Sequence, residues 1–259
     1  MVEYDGARFV GWQTQREGRS VQSVLTAAIE KLCGCQAGSL RVTGAGRTDS
    51  GVHARGQVVS LESPRPLPLK AWTAGLNSIL PDDLAVVRAA PAPAGFDARR
   101  WARGKRYAYS IHGAPTRSPL FRGTAWNIRR PIDVAAMRAA LPALIGQHDF
   151  SALRASNCAA KTTVREVRSL TISEGPDLIV LRIDATAFLK HMVRNVVGTL
   201  VEVGHGKRTA ESLPALLASR DRTQAGPTAP PHGLVLEEVF YLPGFVNPNP
   251  RAPEPEDDE

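Results

Sequence analysis

Three cysteines in 259 residues are too few for a disulfide scaffold. Cys33 and Cys35 are spaced C-x-C and Cys158 stands alone, which also excludes the paired C-x-x-C of a zinc ribbon. No run reaches the ~18 uninterrupted apolar residues that a membrane-spanning helix requires. No cationic, apolar signal segment opens the chain, so a cytoplasmic location with no membrane partner is expected. Acid is also short, with 25 Asp and Glu against 32 Lys and Arg, a net charge of +7. Part of that acid is sequestered at the end. In residues 247–259, Arg251 faces Glu254, Glu256, Asp257, Asp258 and Glu259, so this stretch carries −4 and the rest of the chain +11. A Pro-rich acidic tail over 244–259 is expected to be disordered. The basic body points to a polyanionic partner.

What is present is a mixture of periods. Val21, Val24, Leu25, Ala28 and Leu32 predict a helix with Ser20 as N-cap and Gly34 as its stop. Residues 69–80 predict a second helix through Trp72, Leu76 and Ile79. A third follows Asp133, shortened or kinked by Pro142. Strands are expected at 2–4, 57–63, 84–90, 105–112, 164–173, 178–185 and 233–242. On the strand at 105–112, Tyr107, Tyr109 and Ile111 share a face. Several β-β connections favour α+β layers over a doubly wound parallel sheet. A soft boundary after the APAPAG stretch divides the chain into 1–97 and 98–243.

The strongest helical pattern spans about 187–203. Leu189, Met192, Val193, Val196, Val197 and Leu200 form a core stripe. His191, Arg194, Asn195 and Gly198 form a second stripe, and at about 100° per residue Arg194 points well away from the first. An exposed arginine on an ordinary surface helix and a functional arginine both fit this geometry.

Residues 44–57, GAGRTDSGVHARGQ, open like a dinucleotide loop, but Asp49 stands where the third glycine of G-x-G-x-x-G is required. The G-K-[ST] of a phosphate loop is also missing. A glycine turn with Asp49 capping the segment behind it is one reading. The other is a loop that presents an ionised carboxylate as a nucleophile, with Arg47 favouring its charged form and glycines admitting an RNA backbone. His53 suits a supporting hydrogen bond better than catalysis. By its residues alone, Tyr107 reads better as a core tyrosine on its strand.

GRTDSGVHARGQVV resembles the signature of the tRNA pseudouridine synthase A family. EYDGARFVGWQTQ, SVQSVLTAAI, GLNSILPDDLAV, KRYAY, LIGQHDFSALRA, AFLKHMVRNVVGTL and LASRDRTQAGPTAPPHGLVLEEV are similar to that family in the same order, from Glu3 to about Tyr241. The resemblance implies the pseudouridine synthase fold, with two similar α/β halves, mainly antiparallel sheets flanked by helices, and a basic cleft between the halves. It implies isomerisation of uridine to pseudouridine at positions 38, 39 and 40 of the tRNA anticodon arm, by a homodimer, without cofactor or metal. By the motifs, Asp49 is the nucleophile, Arg47 pairs with the acid and helps hold the extruded base, Tyr107 stacks against the uracil, and Arg194 approaches Asp49 across the cleft. The carboxylate acts at C6 of the ring or at the sugar; both remain open. Arg99, Arg100, Arg103, Lys105, Arg106, Lys190, Lys207 and Arg208 are expected phosphate contacts.

The chain departs from the pattern in places. The family carries several residues ahead of EYDG, and it often has histidine where Asp97 and Lys190 stand. A non-catalytic tRNA-binding module would lack the aspartate. A nucleoside hydrolase would commonly show a second acid, and none accompanies Asp49 in its motif.

Overall fold

A computed structural model describes residues 1–242. The acidic tail expected from residue 244 lies outside the described residues. The N-terminal part contributes β1 (Val2–Tyr4), α1 (Val21–Cys33), β2 (Thr43–Gly44), β3 (His53–Gln57), β4 (Val59–Ser60) and β5 (Leu84–Val86). The remainder contributes β6 (Gly104–His112), β7 (Trp126–Asn127), α2 (Val134–Ala140), β8 (Gly146–Asp149), β9 (Val164–Glu174), β10 (Ile179–Ala185), α3 (Met192–Gly204), α4 (Ser212–Ser219) and β11 (Leu234–Phe240).

Nine strands form one sheet in the order β5-β1-β3-β11-β6-β10-β9-β8, with β7 beside β6, while β2 and β4 make a separate ribbon. Among the described residues only the β11–β3 and β6–β7 pairings are parallel. The fold is α+β, as expected. The strands of the two sequence halves run together because β11 pairs with β3 through Val235↔His53 and with β6 through Leu236↔Tyr107. The last strand among the described residues therefore lies in the middle of the sheet.

Local chemistry explains most element ends. The Ser20 hydroxyl accepts from the Ser23 N–H at 3.1 Å, and Gly34 leaves α1 in a left-handed conformation at φ 65°. Asp133 caps α2 through the Ala136 N–H at 2.9 Å. Pro142 then tightens the next turn, Leu141–Leu144, into a 3-10 helix.

Three expectations are corrected and one helix is added. The strand placed at 57–63 runs earlier, as β3. At Val58 the carbonyl turns to accept from the Ala45 N–H at 2.8 Å, which diverts the chain into the β2–β4 ribbon. The helix at 69–80 is a brief helical stretch whose Ala71–Gly75 segment is a π-helix. There the Thr73 hydroxyl reaches back to the Leu69 and Lys70 carbonyls, competing with the ladder. The third long helix starts at Met192, not near residue 187, because His191 is left-handed at φ 62°. α4 was not anticipated. Pro214 sits in its first turn, where the missing N–H has no helical partner to lose, and Leu213, Leu216 and Leu217 are buried.

Helix α3 is the central helix. Met192, Val196, Val197 and Leu200 are buried, and its C-terminal Gly204 accepts the Asp133 N–H at 2.9 Å, docking α2. The middle of its second stripe is buried too. Asn195, Gly198 and Thr199 face the chain segment 222–229, and a Cβ at Gly198 would overlap the Pro227 carbonyl oxygen.

Candidate active site

The loop between β2 and β3 is anchored from behind. Gln57, buried at the end of β3, donates its side-chain amide to the Gly46 carbonyl at 2.8 Å. The Thr48 carbonyl accepts from the Trp12 N–H at 3.1 Å, and its hydroxyl pairs with the Tyr4 hydroxyl at 2.8 Å. The Val52 N–H closes a turn on the Asp49 carbonyl at 3.1 Å, with Gly51 at φ 77° in the position that needs a left-handed residue. With its backbone so held, Asp49 presents its carboxylate outward, and that side chain keeps 27% of its exposure. The capping alternative is excluded, because strand β3, not a helix, follows the turn.

Two groups from the far side meet this carboxylate. Arg194 Nη1 and His191 Nε2 each lie 3.6 Å from Asp49 Oδ2. Arg194 is only 13% exposed, since its Nε donates to the Ala229 carbonyl at 2.7 Å while the Ala229 N–H donates back to the Arg194 carbonyl at 3.1 Å. The segment carrying Ala229 is itself strapped to α3. Asn195 Oδ1 accepts from Arg222 at 3.1 Å and from the Thr228 hydroxyl at 2.7 Å, and the Thr199 hydroxyl accepts from the Gly226 N–H at 3.0 Å. The strap continues to Pro230, whose carbonyl takes the Tyr109 hydroxyl at 2.8 Å. At His232 the carbonyl faces His53 Nε2 at 3.1 Å.

His53 is thus a supporting group, as expected. It is buried behind the Asp49 loop, with Nδ1 3.0 Å from both the Gly6 N–H nitrogen and Asp5 Oδ1. The neutral ring accepts from Gly6; a protonated ring donates to Asp5.

Tyr107 lies on β6 between Leu236 and Ile183, buried, with its ring edge-on to Phe188 at 5.0 Å. Burial, and then the neighbouring Tyr4 and Asp49, push its hydroxyl far above the usual phenol range, so it stays protonated. Arg47 goes elsewhere. The expected pairing with Asp49 is not made, because buried Thr48 lies between the two and Arg47 is exposed to solvent with no ion pair among the described residues. Arg106 is also removed from the expected phosphate contacts: it binds Asp184 at 2.7 Å and Glu238 at 3.4 Å. Arg208 pairs with Glu202 at 3.6 Å. Arg99, Arg100, Arg103, Lys190 and Lys207 remain exposed.

Sequence reasoning missed two features. Lys105 packs over Gly46 at the back of the loop, where burial and the charge of Arg99 lower its ammonium to about 8. The strap of residues 222–233 was unseen, although the small and polar run Asn195, Gly198 and Thr199 on α3 was its signal. Among the described residues no cluster of His, Cys, Asp and Glu could hold a metal ion, and no helix is long and apolar enough to cross a membrane.

The pattern of the family described as tRNA pseudouridine synthase matches residues 1–99 and 140–242. A tRNA pseudouridine synthase A of Myxococcus xanthus is 56% identical over 94% of this chain and 91% of its own length. One from Syntrophotalea carbinolica is 49% identical over 94% and 95%, and one from Geotalea uraniireducens 44% identical over 93% and 98%. A looser likeness is to a chain of the archaeal box H/ACA sRNP Nop10-Cbf5 complex, 10% identical, with a TM-score of 0.36 over 79% of this chain and 55% of that one.

Proposed function

The chain belongs to the tRNA pseudouridine synthase family, and from that premise we propose that it converts uridine to pseudouridine at positions 38, 39 and 40 of the tRNA anticodon stem-loop, with Asp49 as nucleophile. It is a tRNA-modifying isomerase. The observation that carries the finer reading is the outward carboxylate of Asp49, 3.6 Å from Arg194, inside the GRTDSGVHARGQVV motif.

The chemistry needs three things of the site. The C1′–N1 bond must break, the uracil must turn, and C5 must bond to C1′ before losing its proton. Asp49 adds to the ring at C6 or acts at the sugar; Arg194 holds its charge and orientation. A base inside the stem cannot reach that carboxylate, so the target nucleotide must leave its stack. Exposed Arg47, two residues from Asp49, is the group that takes the vacated place and holds the base outside the helix. Tyr107, near enough to the acid for its hydroxyl to feel the charge of Asp49, is the ring against which the uracil stacks. The exposed cations Arg99, Arg100, Arg103, Lys190 and Lys207 contact phosphates. The enzyme works as a cytoplasmic homodimer, with one tRNA touching both subunits.

Tritium release from tRNA labelled at C5 of uracil tests this. The unaltered protein is expected to release tritium from uridines at the three positions and to lose each signal when that uridine is replaced by cytidine. Asp49→Asn is expected to abolish release while keeping tRNA binding. Release by Asp49→Asn would remove the acid from its role, and a sedimentation mass of one chain would remove the dimer.

A further inference from the structure

His191 stands in the left-handed region at φ 62°, a conformation that costs this residue type about 1 kcal/mol or more. The neighbours enforce it. The Lys190 carbonyl accepts from Ala155, the Leu189 carbonyl from Met192 and the His191 carbonyl from Asn195, at 2.9, 3.1 and 2.9 Å. This bend turns the imidazole out of the helical path and puts Nε2 3.6 Å from Asp49 Oδ2, with 29% of the side chain exposed beside the 27% of the acid. The chemistry assigned to Asp49, Arg194, Arg47 and Tyr107 leaves this group unused. Resting on that functional reading, we propose that His191 is the base that takes the proton from C5 of the rearranged uracil.

The geometry carries it. Asp49 acts at C6 or at C1′, and once the ring has turned, C5 is bonded to both. A nitrogen within 3.6 Å of the attacking oxygen is therefore within reach of the hydrogen on C5. The other nearby groups are unsuited: Tyr107 is held protonated, Arg194 is a permanent cation, and Asp49 is engaged in the preceding step. The groups facing His191 are Asp49, Arg194, Lys190 and Arg222. Burial lowers the imidazole pKa below its ordinary value and the three cations add to this, against the opposing charge of Asp49, so the ring is a free base at neutral pH. In the step, the C5–H bond breaks, its proton passes to the imidazole nitrogen, and its electron pair forms the C5=C6 double bond. If Asp49 was bonded to C6, that bond breaks and the carboxylate leaves with its electrons. If Asp49 acted at the sugar, N1 takes the electrons and a proton from water. The imidazolium returns its proton to solvent through its exposed edge.

His191→Asn and His191→Gly both tolerate φ 62° while removing the base, so both are expected to keep the fold and tRNA affinity. Turnover should fall about 100-fold or more. With tRNA carrying deuterium at C5 of the target uridine, both variants should show a larger isotope effect than the unaltered protein, because proton removal has become limiting. Turnover within about threefold of the unaltered protein, or a slowed reaction with an unchanged isotope effect, would overturn the assignment. Failure of the unaltered protein to make any pseudouridine would instead overturn the functional reading on which it rests.

Discussion

The guanidinium of Arg194 faces Asp49 with one nitrogen and holds the Ala229 carbonyl with another. The side chain points away from the core stripe, yet its bond to Ala229 is largely shielded, with only 13% of the arginine exposed. Arg194→Ala is therefore expected to lose turnover and also about 2 kcal/mol of stability, the range for a buried bond to a charged donor. In a protein of this size that is a fall of roughly 4–8 °C in melting temperature, readable by calorimetry. An unchanged melting temperature would show that the Ala229 bond contributes nothing. At this scale the motifs singled out Asp49 and Arg194, whose side chains lie 3.6 Å apart. They could not place His191 against the acid, because that approach depends on a left-handed backbone at one residue, which periodicity does not encode. Nor could they show that Arg47 turns outward, since spacing alone does not say that Thr48 is buried.

Between elements, the second face of α3 is a polar joint. Asn195 is fully buried and satisfies Arg222, Thr228 and the Leu153 carbonyl. Asn195→Leu would strand those partners, and about 3 kcal/mol or more of destabilisation is expected in denaturant unfolding. Hydrogen exchange should rise first in residues 222–229. Gly198→Ala tests the same joint by shape. Helix propensity favours alanine by about 1 kcal/mol, yet the added methyl would overlap the Pro227 carbonyl oxygen, so a net loss of stability is expected. A stabilised variant would contradict the close approach of strap and helix. Amphipathic helices and alternating strands were legible here, as α1, α2, β6, β9 and β10 show. What was not legible was irregular: the strap, the π turn at 71–75, and α4, whose early proline disguised it.

For the molecule as a whole, burial lowers the titration of His191 and His232, and the two-pronged bond from Arg19 lowers that of Asp83. Above the unfolded histidine value near 6.5 the imidazoles are neutral in both states and stability is unaffected. Below it the unfolded chain takes up their protons first, and below the ordinary carboxylate range Asp83 adds a loss of the same sign. Melting temperature should therefore drop as pH falls from about 7 to about 4; a rise over that range would contradict these directions. Salt reports the surface. Replacing Arg99, Arg100 and Arg103 with alanine should weaken tRNA binding and flatten its dependence on salt, by about 0.7 in the log–log slope for each phosphate no longer neutralised.

The position of β11 has a consequence for how the protein comes into being. Residues 234–240 are made late, yet they are the seam on which β3 and β6 close. Until they emerge, each of those strands offers a bare edge to any neighbouring nascent chain. Chains truncated before residue 234 should accumulate as aggregates rather than as a stable fragment, and refolding from denaturant should be slow, governed by a pairing that spans most of the polypeptide.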